Sequence, residues 1–596
     1  MKCVTATVEI HVRGPVLSQS SSVGAPGFDA LMAQAKFALN QSRYYLPGSL
    51  IKGLVREVWQ EFAEVEPEYQ SLISRWLGDE SPKASDDRPE RGRMKWSDFV
   101  DWSTEPAKRS PSRTRIQIDD ERGAADEAML QVLESPYASG QPVTFKGEVK
   151  WLAADDESEH QVVESLQKGL HWLHAVGGVR SSGFGRVMGT SVHVSKRRQQ
   201  AASGLERHDR LELRLQFGEP VIFSKLRVAD NWFESEEVVP GGALKGAVAT
   251  MISADPDHYR ELSEELSRVG FTHAFPTALG ERRPSRWPMS LVSYSSDPKM
   301  PAFGDALRGS APPVGECGKP WAFDIDWKDG IRDLVESCYG WPKLHRQVRV
   351  RTRFDSAKAR ADEGVDDQGG SLFAWRMIEP FSREWVCTVD LSGLSPTARE
   401  QLTQLLESFG LGPLGKSKAW ANVEVTACQA PGVQASGSYC VTLQTPALLT
   451  APGRQLAKDG TLGMTDAEVL ERELRAAWSE LSDGSLILVD YFQRCSLSGG
   501  SYLLARFSAK GLDYRPYLLS DAGSTFLLAG AEGRQEKAAS LLAQWRRKGL
   551  PLAESVRHFY GITDDPDWQW RDCPYLPENG YGEIAVDEPF RLGGSV

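Results

Sequence analysis

The sequence predicts an α+β protein assembled from small repeated modules. Short alternating strands, helices with apolar periodicity and three motifs that recur in one order carry that expectation. With 596 residues, 41% of them hydrophobic, the chain can fill three or four cores at about 150 residues per domain.

Residues 3–13 (CVTATVEIHVR) alternate as a strand, and the step Pro47-Gly48 opens a helix over 50–63. Residues 142–152 read as a strand, 160–175 as a helix, and 186–195 as a strand that follows a glycine-rich loop. The series repeats with a strand at 211–217, a helix at 244–252, a strand at 383–391, a helix at 396–409 and a strand at 420–427. Each series lays helices on a short sheet, a ferredoxin-like or RRM-like plan. The first module is expected over 1–195 and the second over 208–428, with polar linkers at 196–207 and 429–438. Residues 439–596 read as a divergent third module. It has a helix at 465–481, strands near 485–508, and a turn at Asn579-Gly-Tyr-Gly that feeds a last strand.

The recurring motifs give the module reading its weight. Leu46-Pro-Gly-Ser-Leu-Ile-Lys52-Gly is matched by Val239-Pro-Gly-Gly-Ala-Leu-Lys245-Gly. Arg113-Thr-Arg115 is matched by Arg351-Thr-Arg353. The loop from Gly177 to Val187 (GGVRSSGFGRV) is matched by Gly410 to Trp420 (GLGPLGKSKAW). Pro240 lies about 45 residues further from its Arg-Thr-Arg than Pro47 does. That places an insertion near 255–340, a stretch rich in Pro, Gly and Trp and expected to be loop-like. The third region lacks the Pro-Gly-x-x-x-Lys-Gly element.

Charge argues for a local rather than a global polyanion surface. The net charge of −12 opposes indiscriminate coating of nucleic acid. Residues 343–360 nevertheless hold seven Lys/Arg against one acid, Asp355, and 106–115 form a second basic run. The plain alternative for either run is a solvated face. Eight scattered cysteines without a C-x-x-C pair argue against a zinc ribbon and for a reducing, cytoplasmic setting. Cys317, Cys338 and His345 are too loosely spaced to favour a zinc site. No run approaches the ~20 apolar residues that span a bilayer, and Met1-Lys2-Cys3-Val4 runs straight into a strand with no signal-peptide pattern.

The Pro-Gly element places Ser49 as a helix N-cap, with Lys52 and Arg56 following, and Lys245 in the second copy. A helix start with free N–H groups and a lysine suits a phosphate, although an ordinary capped helix looks the same. In the first glycine loop, Gly178 lets backbone approach a phosphate, while Arg180, Ser181, Ser182 and Arg186 supply donors. The alternative is a tight helix-to-strand turn. Lys416 and Lys418 are the cations of the second loop. Its Gly410–Ser417 also fits G-x-x-x-x-G-K-[ST], but a phosphate-binding loop follows a strand and opens a helix. Here a helix precedes and a strand follows, so a nucleotide triphosphatase is rejected. His11, His171 and His174 fall on strand or helix patterns, where packed or surface histidines are the rule.

These motifs together, with Arg113-Thr-Arg-Ile-Gln-Ile-Asp119 and Arg122-Gly-Ala-Ala, closely resemble the RAMP superfamily, above all the backbone subunits of type III CRISPR effector complexes. The resemblance covers 1–195 most strongly and 208–427 less so. The C-terminal region is similar to the small subunit that holds the crRNA 5′ handle. The whole chain looks like a RAMP fusion of the III-D-like or III-E-like kind. The resemblance implies crRNA, target RNA and other effector subunits as partners, with the RNA in a basic groove. It also implies a β-hairpin thumb that displaces nucleotides. In catalytic members it implies an aspartate before the Pro-Gly element that supports cleavage of target RNA with Mg²⁺ or Mn²⁺. Asp29 takes that place here, as catalytic residue and metal ligand. Asp230, near Glu234 and Glu236, is the second-module candidate. A loop aspartate is also a common turn former. Two other readings stay open: a purely structural RNA-binding subunit, and an endonuclease that processes precursor crRNA.

Overall fold

The computed structural model describes residues 1–19, 27–38, 41–78, 92–106, 111–116, 130–200, 203–223, 225–229, 232–294, 302–309, 311, 320–353, 371–430, 432–451, 466–499 and 516–592. Mixed α+β architecture with mainly antiparallel sheets runs through all of them.

In the first part of the chain the order is β1 (Lys2–Arg13), β2 (Gln34–Ala38), β3 (Gln41–Leu46), α1 (Gly48–Ala63), β4 (Lys95–Trp96) and β5 (Phe99–Val100). There follow β6 (Ser112–Arg115), β7 (Gln131–Glu134), β8 (Pro142–Ala153), α2 (Asp156–His171) and β9 (Arg186–Arg198). The sheet runs β2-β3-β5-β8-β1-β9, with β4 also on β8. Alternation on β1 sends Val4, Ala6, Val8, Ile10 and Val12 into the core, because a strand's period of two separates its faces. Ile51, Val55 and Trp59 of α1 and Leu166 and Leu170 of α2 cover that face at helical spacing. The helices approach closely at Gly169, where a Cβ would lie 2.6 Å from the Trp59 indole nitrogen. Trp59 Nε1 donates to the Ser165 carbonyl at 3.0 Å.

The second part holds β10 (Arg210–Phe217), β11 (Lys225–Ala229), β12 (Trp232–Ser235), α3 (Gly241–Ile252), β13 (Gly270–Phe271) and β14 (Phe275–Ala278). It continues with β15 (His345–Arg353), β16 (Ser371–Glu379), β17 (Arg383–Asp390), α4 (Pro396–Phe409), β18 (Leu411–Leu414) and β19 (Ala419–Ala427). One sheet runs β13-β17-β10-β19-β18, and a second, flanking sheet runs β11-β12-β16-β15. Residues 255–340 are not simply loop. They include the helices Arg260–Glu265 and Asp329–Cys338, β13 and β14 on the main sheet, and a hairpin of Leu291–Ser293 with Phe303–Asp305. Trp287, Trp327, Tyr339 and Trp341 build a small core there with Phe275 and Val335. Large aromatic side chains bury enough area to organise a segment whose Pro and Gly content reads as turns.

The third part holds β20 (Ser438–Leu443), α5 (Asp466–Leu481), β21 (Leu486–Phe492), β22 (Cys495–Ser498) and β23 (Tyr517–Ser520). It ends with β24 (Thr525–Gly530), α6 (Gln535–Lys548), α7 (Glu554–Tyr560) and β25 (Ile584–Val586). Its sheet runs β21-β24-β20-β25. In all three main sheets the first strand lies between the last strand and an earlier one: β8-β1-β9, β17-β10-β19 and β24-β20-β25. Bidentate pairs bind the third part to the second: Arg283 with Glu583 and Arg268 with Asp567. Arg547 adds a contact to Asp390 at 2.9 Å.

Trp59→Ala is expected to destabilise the first part by about 3–5 kcal/mol, the usual cost of deleting a buried indole. Denaturant unfolding followed by fluorescence and by proteolysis of residues 1–198 would measure it.

Candidate nucleic-acid interface

Three separated segments meet in the first part of the chain. The Asp29 main chain donates its N–H to the Val132 carbonyl at 2.8 Å, and the Val132 N–H donates to Asp29 Oδ2 at 2.5 Å. Asp29 is exposed and grips β7 at both ends of one residue. Val132 pairs across the β6–β7 hairpin with Thr114, so Asp29 sits against the strand that carries Arg113 and Arg115. Arg113 donates to the hydroxyls of Ser135 at 3.0 Å and Ser139 at 2.6 Å. Arg115 reaches the other way and donates to Ser182 Oγ at 3.1 Å, in the glycine loop. In that loop Arg180 and Arg186 are exposed, with Arg180 only 4.0 Å from Glu57 of α1.

Some residues expected to face a ligand are engaged inside the protein instead. The Gly178 N–H donates to the Leu17 carbonyl at 2.7 Å, so it is not offered to a phosphate. Ser49 is not the N-cap of α1. Pro47 holds that position with extended ψ, and Ser49 lies within the first turn. The Gly48 N–H is instead accepted by Asp98 Oδ1 at 3.0 Å, a carboxylate brought from the β4–β5 segment. Arg56 donates to the carbonyls of Leu77 at 2.9 Å and Gly78 at 2.7 Å. Lys245 donates to the Ser267 carbonyl, and burial pushes its ammonium down to about 8. Both arginine and lysine reach carbonyls because helix ends leave such acceptors unsatisfied.

The two Pro-Gly starts are enclosed by later parts of the chain. Asp98 also pairs with Arg349 of β15, whose guanidinium stacks 4.9 Å above the Tyr45 ring. The partners are 10% and 8% exposed, so this is a buried charge pair between the first and second parts. Lys95 donates to the Ser417 carbonyl at 2.9 Å, and Lys150 lies 4.4 Å above the Trp420 ring. Burial pushes the Lys52 ammonium down to about 8, reinforced by Lys418 and Arg56. At α3 the cap is His273, whose Nδ1 accepts the Gly241 N–H at 3.2 Å. Burial holds this imidazole near 3, so it stays neutral and can accept.

The second-module candidates divide similarly. Arg346 pairs with Glu234 and Glu237, and Arg376 also takes Glu234, so Glu234 is committed to arginines. The backbone of Arg351 and Arg353 lies in β15, paired with Phe373 and Ser371. Their side chains, and Asp119, Arg122 and Asp230, lie outside the described residues. Gly410–Ser417 forms β18 and the turn of a β18–β19 hairpin, the wrong topology for a nucleotide-phosphate loop. The Lys416 N–H donates to the Ile222 carbonyl, and its ammonium lies 4.1 Å over the Phe233 ring. Among the described residues, no group of three or more His, Cys, Asp or Glu is placed to hold a metal ion. Nor is any helix long and apolar enough to cross a membrane.

Asp98 escaped the sequence reading, since nothing in Trp96-Ser-Asp98-Phe99 marks it as the cap of a helix that begins fifty residues earlier. Residues 9–187 match the family described as the RAMP superfamily. No curated protein matches the chain. Among solved structures it is similar to a chain of the type III-B Cmr-beta complex bound to cognate target RNA, with 17% identity and a TM-score of 0.22. That match covers 32% of this chain and 61% of the other, so the chain spans less than two thirds of that relative's length. A type IV-B CRISPR complex chain gives 13% identity over 32% and 90% of the two chains, with a TM-score of 0.21. The Cmr-beta complex with target RNA and AMPPnP gives 10% identity over 53% and 86%, with a TM-score of 0.29.

Asp98→Ala removes the α1 cap and strands the Arg349 guanidinium. A loss of about 3–5 kcal/mol is expected, as for other broken buried pairs. Urea unfolding should show it, together with faster protease cutting in the stretch between β9 and β10.

Proposed function

We propose that this chain is an RNA-binding subunit of a type III-like CRISPR effector complex, built from tandem ferredoxin-like RAMP modules, and that its first module takes part in cutting guide-matched target RNA. The observation that carries the reading is the convergence of Asp29, the Arg113–Arg115 strand and the glycine loop. Guanidinium groups bind phosphates through paired donors. Arg180 and Arg186 are the exposed cations of this cluster. Arg113 and Arg115 hold its shape through serine hydroxyls and can turn to RNA. Lys416 and Lys418, with Arg351 and Arg353, would extend the path across the second module. The crRNA and target RNA are the ligands, and other effector subunits the protein partners. The recurring strand order of the three main sheets supports the tandem-module reading.

The reaction would be in-line attack of a ribose 2′-hydroxyl on the neighbouring phosphate, which breaks the P–O5′ bond and leaves a 2′,3′-cyclic phosphate and a 5′-hydroxyl that takes up a proton from solvent. Splaying the RNA into that geometry supplies much of the rate. Asp29 keeps Oδ2 on the Val132 N–H, which leaves Oδ1 to accept the hydroxyl proton. Mg²⁺ is commonly held by one or two carboxylates together with substrate oxygens, and one exposed carboxylate beside arginines meets that sparse demand. Asp29 would hold the ion, and Mg²⁺ or Mn²⁺ bound there would neutralise charge on the phosphate.

The grip of Asp29 on Val132 favours a second reading, in which the aspartate only anchors the hairpin and the subunit is structural. Asp29→Asn separates the two, because the amide oxygen still accepts the Val132 N–H while the charge is gone. Cleavage of a guide-matched RNA is expected to fall at least about 100-fold with RNA binding retained. Unchanged cleavage would assign Asp29 to anchoring alone.

RNA binding has its own test. Arg180→Ala with Arg186→Ala should weaken binding and flatten the dependence of log affinity on log salt by about one unit per lost phosphate contact. A filter-binding series in salt reads this directly, and an unaltered slope would remove both arginines from the interface.

A further inference from the structure

A cleft of about 390 Å³ opens where the helix Asp329–Cys338 meets the flanking sheet of the second part. That volume is within the usual range for a small-ligand site. Its walls include Arg286, Glu336 of the helix, Trp341, Glu237 just beyond β12, and Arg346 and Arg376 of β15 and β16. Most of the charges here are matched inside the protein. Arg346 takes Glu234 and Glu237, Arg376 takes Glu234, and Lys343 lies 3.3 Å from Asp333. Two are not matched. Among the described residues the Arg286 guanidinium has no ion pair and no hydrogen-bond acceptor, and its Nε is buried. The Glu336 carboxylate likewise has no ion pair and no donor among them.

One tryptophan positions both groups. The Arg286 guanidinium lies 3.8 Å over the Trp341 ring. The indole Nε1 donates to the Ser285 carbonyl at 2.8 Å, and the Trp341 N–H donates to the Glu336 carbonyl at 2.8 Å. The stack occupies one face of the guanidinium and leaves its in-plane N–H groups without acceptors. Burial pushes Arg286 down to about 10, so it stays charged at neutral pH. Burial, and then the neighbouring Glu237, push the Glu336 carboxyl up. A charge held out of water without a partner is costly. A bare anion would answer Arg286 but would be repelled by Glu237 and Glu336. A ligand with an acceptor edge beside a donor edge answers both groups at once.

We propose that this cleft takes the base of one unpaired guanine nucleotide of bound RNA, with guanine N7 and O6 on Arg286 and guanine N1–H and N2–H on Glu336. Guanine is the RNA base that sets two adjacent acceptors on one edge and two adjacent donors on the next. The guanidinium fork matches the first edge and the two carboxylate oxygens match the second. Adenine mixes a donor with an acceptor on each of these edges, and uracil and cytosine have no pair of adjacent ring and exocyclic donors. Unpaired RNA bases are splayed out and read on these same edges. Lys343 and Arg376 stand exposed at the rim, and their acids hold them weakly enough for a phosphate to compete. The cleft thus adds base selection to a chain whose other exposed cations meet only phosphates. This rests on the reading of the chain as an RNA-binding subunit.

The test titrates the full chain, washed free of nucleic acid in high salt, with nucleoside 5′-monophosphates in equilibrium dialysis. Guanosine monophosphate should bind at least about tenfold tighter than the adenosine, cytidine and uridine monophosphates. Inosine monophosphate lacks the N2 amine and 7-deazaguanosine monophosphate lacks the N7 acceptor, so each should bind at least about threefold weaker than guanosine monophosphate. Glu336→Gln leaves the Trp341 stack in place. It should abolish the difference between guanosine and inosine and keep the difference between guanosine and 7-deazaguanosine. Arg286→Lys should do the reverse, and the half-buried Glu336 position keeps the test open if the Arg286 variant folds poorly. The RNA pentamer UUGUU should displace guanosine monophosphate at lower concentration than UUAUU. The proposal is overturned if guanosine monophosphate does not bind, if the monophosphates bind alike, if inorganic phosphate displaces guanosine monophosphate as well as UUGUU does, or if Glu336→Gln keeps the inosine penalty. Guanosine monophosphate bound without preference for UUGUU over UUAUU would overturn the assignment to RNA. The salt series on Arg180 and Arg186 reads a different part of the chain, so failure of this cleft and failure of the RNA-binding reading are told apart.

Discussion

Asp98 satisfies two demands with one carboxylate. One oxygen receives the Gly48 N–H at the start of α1, and the other meets the Arg349 guanidinium from the second module. A helix start is a region of partial positive charge, so an acid there is favourable before any partner arrives. Burying that acid becomes tolerable only because a guanidinium balances it. One side chain thus ties the start of α1 to the second part of the chain, beside the Lys95–Ser417 and Lys150–Trp420 contacts. The basic strand that looks like a nucleic-acid stripe in sequence spends Arg346 and Arg349 on this internal work.

The same economy shows at the second Pro-Gly element. There a neutral, buried histidine accepts the helix N–H in place of a carboxylate, and a loop from the third module closes over it. Pairs such as Arg283 with Glu583 and Arg268 with Asp567 hold that third module in place. Two helix starts that read as open phosphate sites are therefore joints between modules. Arg180 and Arg186 are exposed on the first part of the chain, where the Asp29 loop, the β6–β7 hairpin and the glycine loop converge.

Much of the architecture was legible in the sequence. Alternation in 3–13 and 211–217 marks strands that emerge as Lys2–Arg13 and Arg210–Phe217, because a central strand with one buried face must alternate. The helix at 396–409 stands where the pattern puts it, with Ser395 as its cap and Pro396 at its first position. The aromatic-rich 255–340 was misread, since turn residues dominate its composition while a few buried tryptophans decide its packing.

The sequence by itself determined the class of fold, the repeated motifs and the rejection of a nucleotide-phosphate loop, all of which depend on local pattern and element order. Only the tertiary structure decided which cations stay exposed. Arg56, Lys245 and Arg349 look alike in sequence to Arg180 and Arg186, yet burial and distant carbonyls or carboxylates claim the first three. A charge is read from its residue type, but its availability depends on partners that the fold brings from tens or hundreds of residues away.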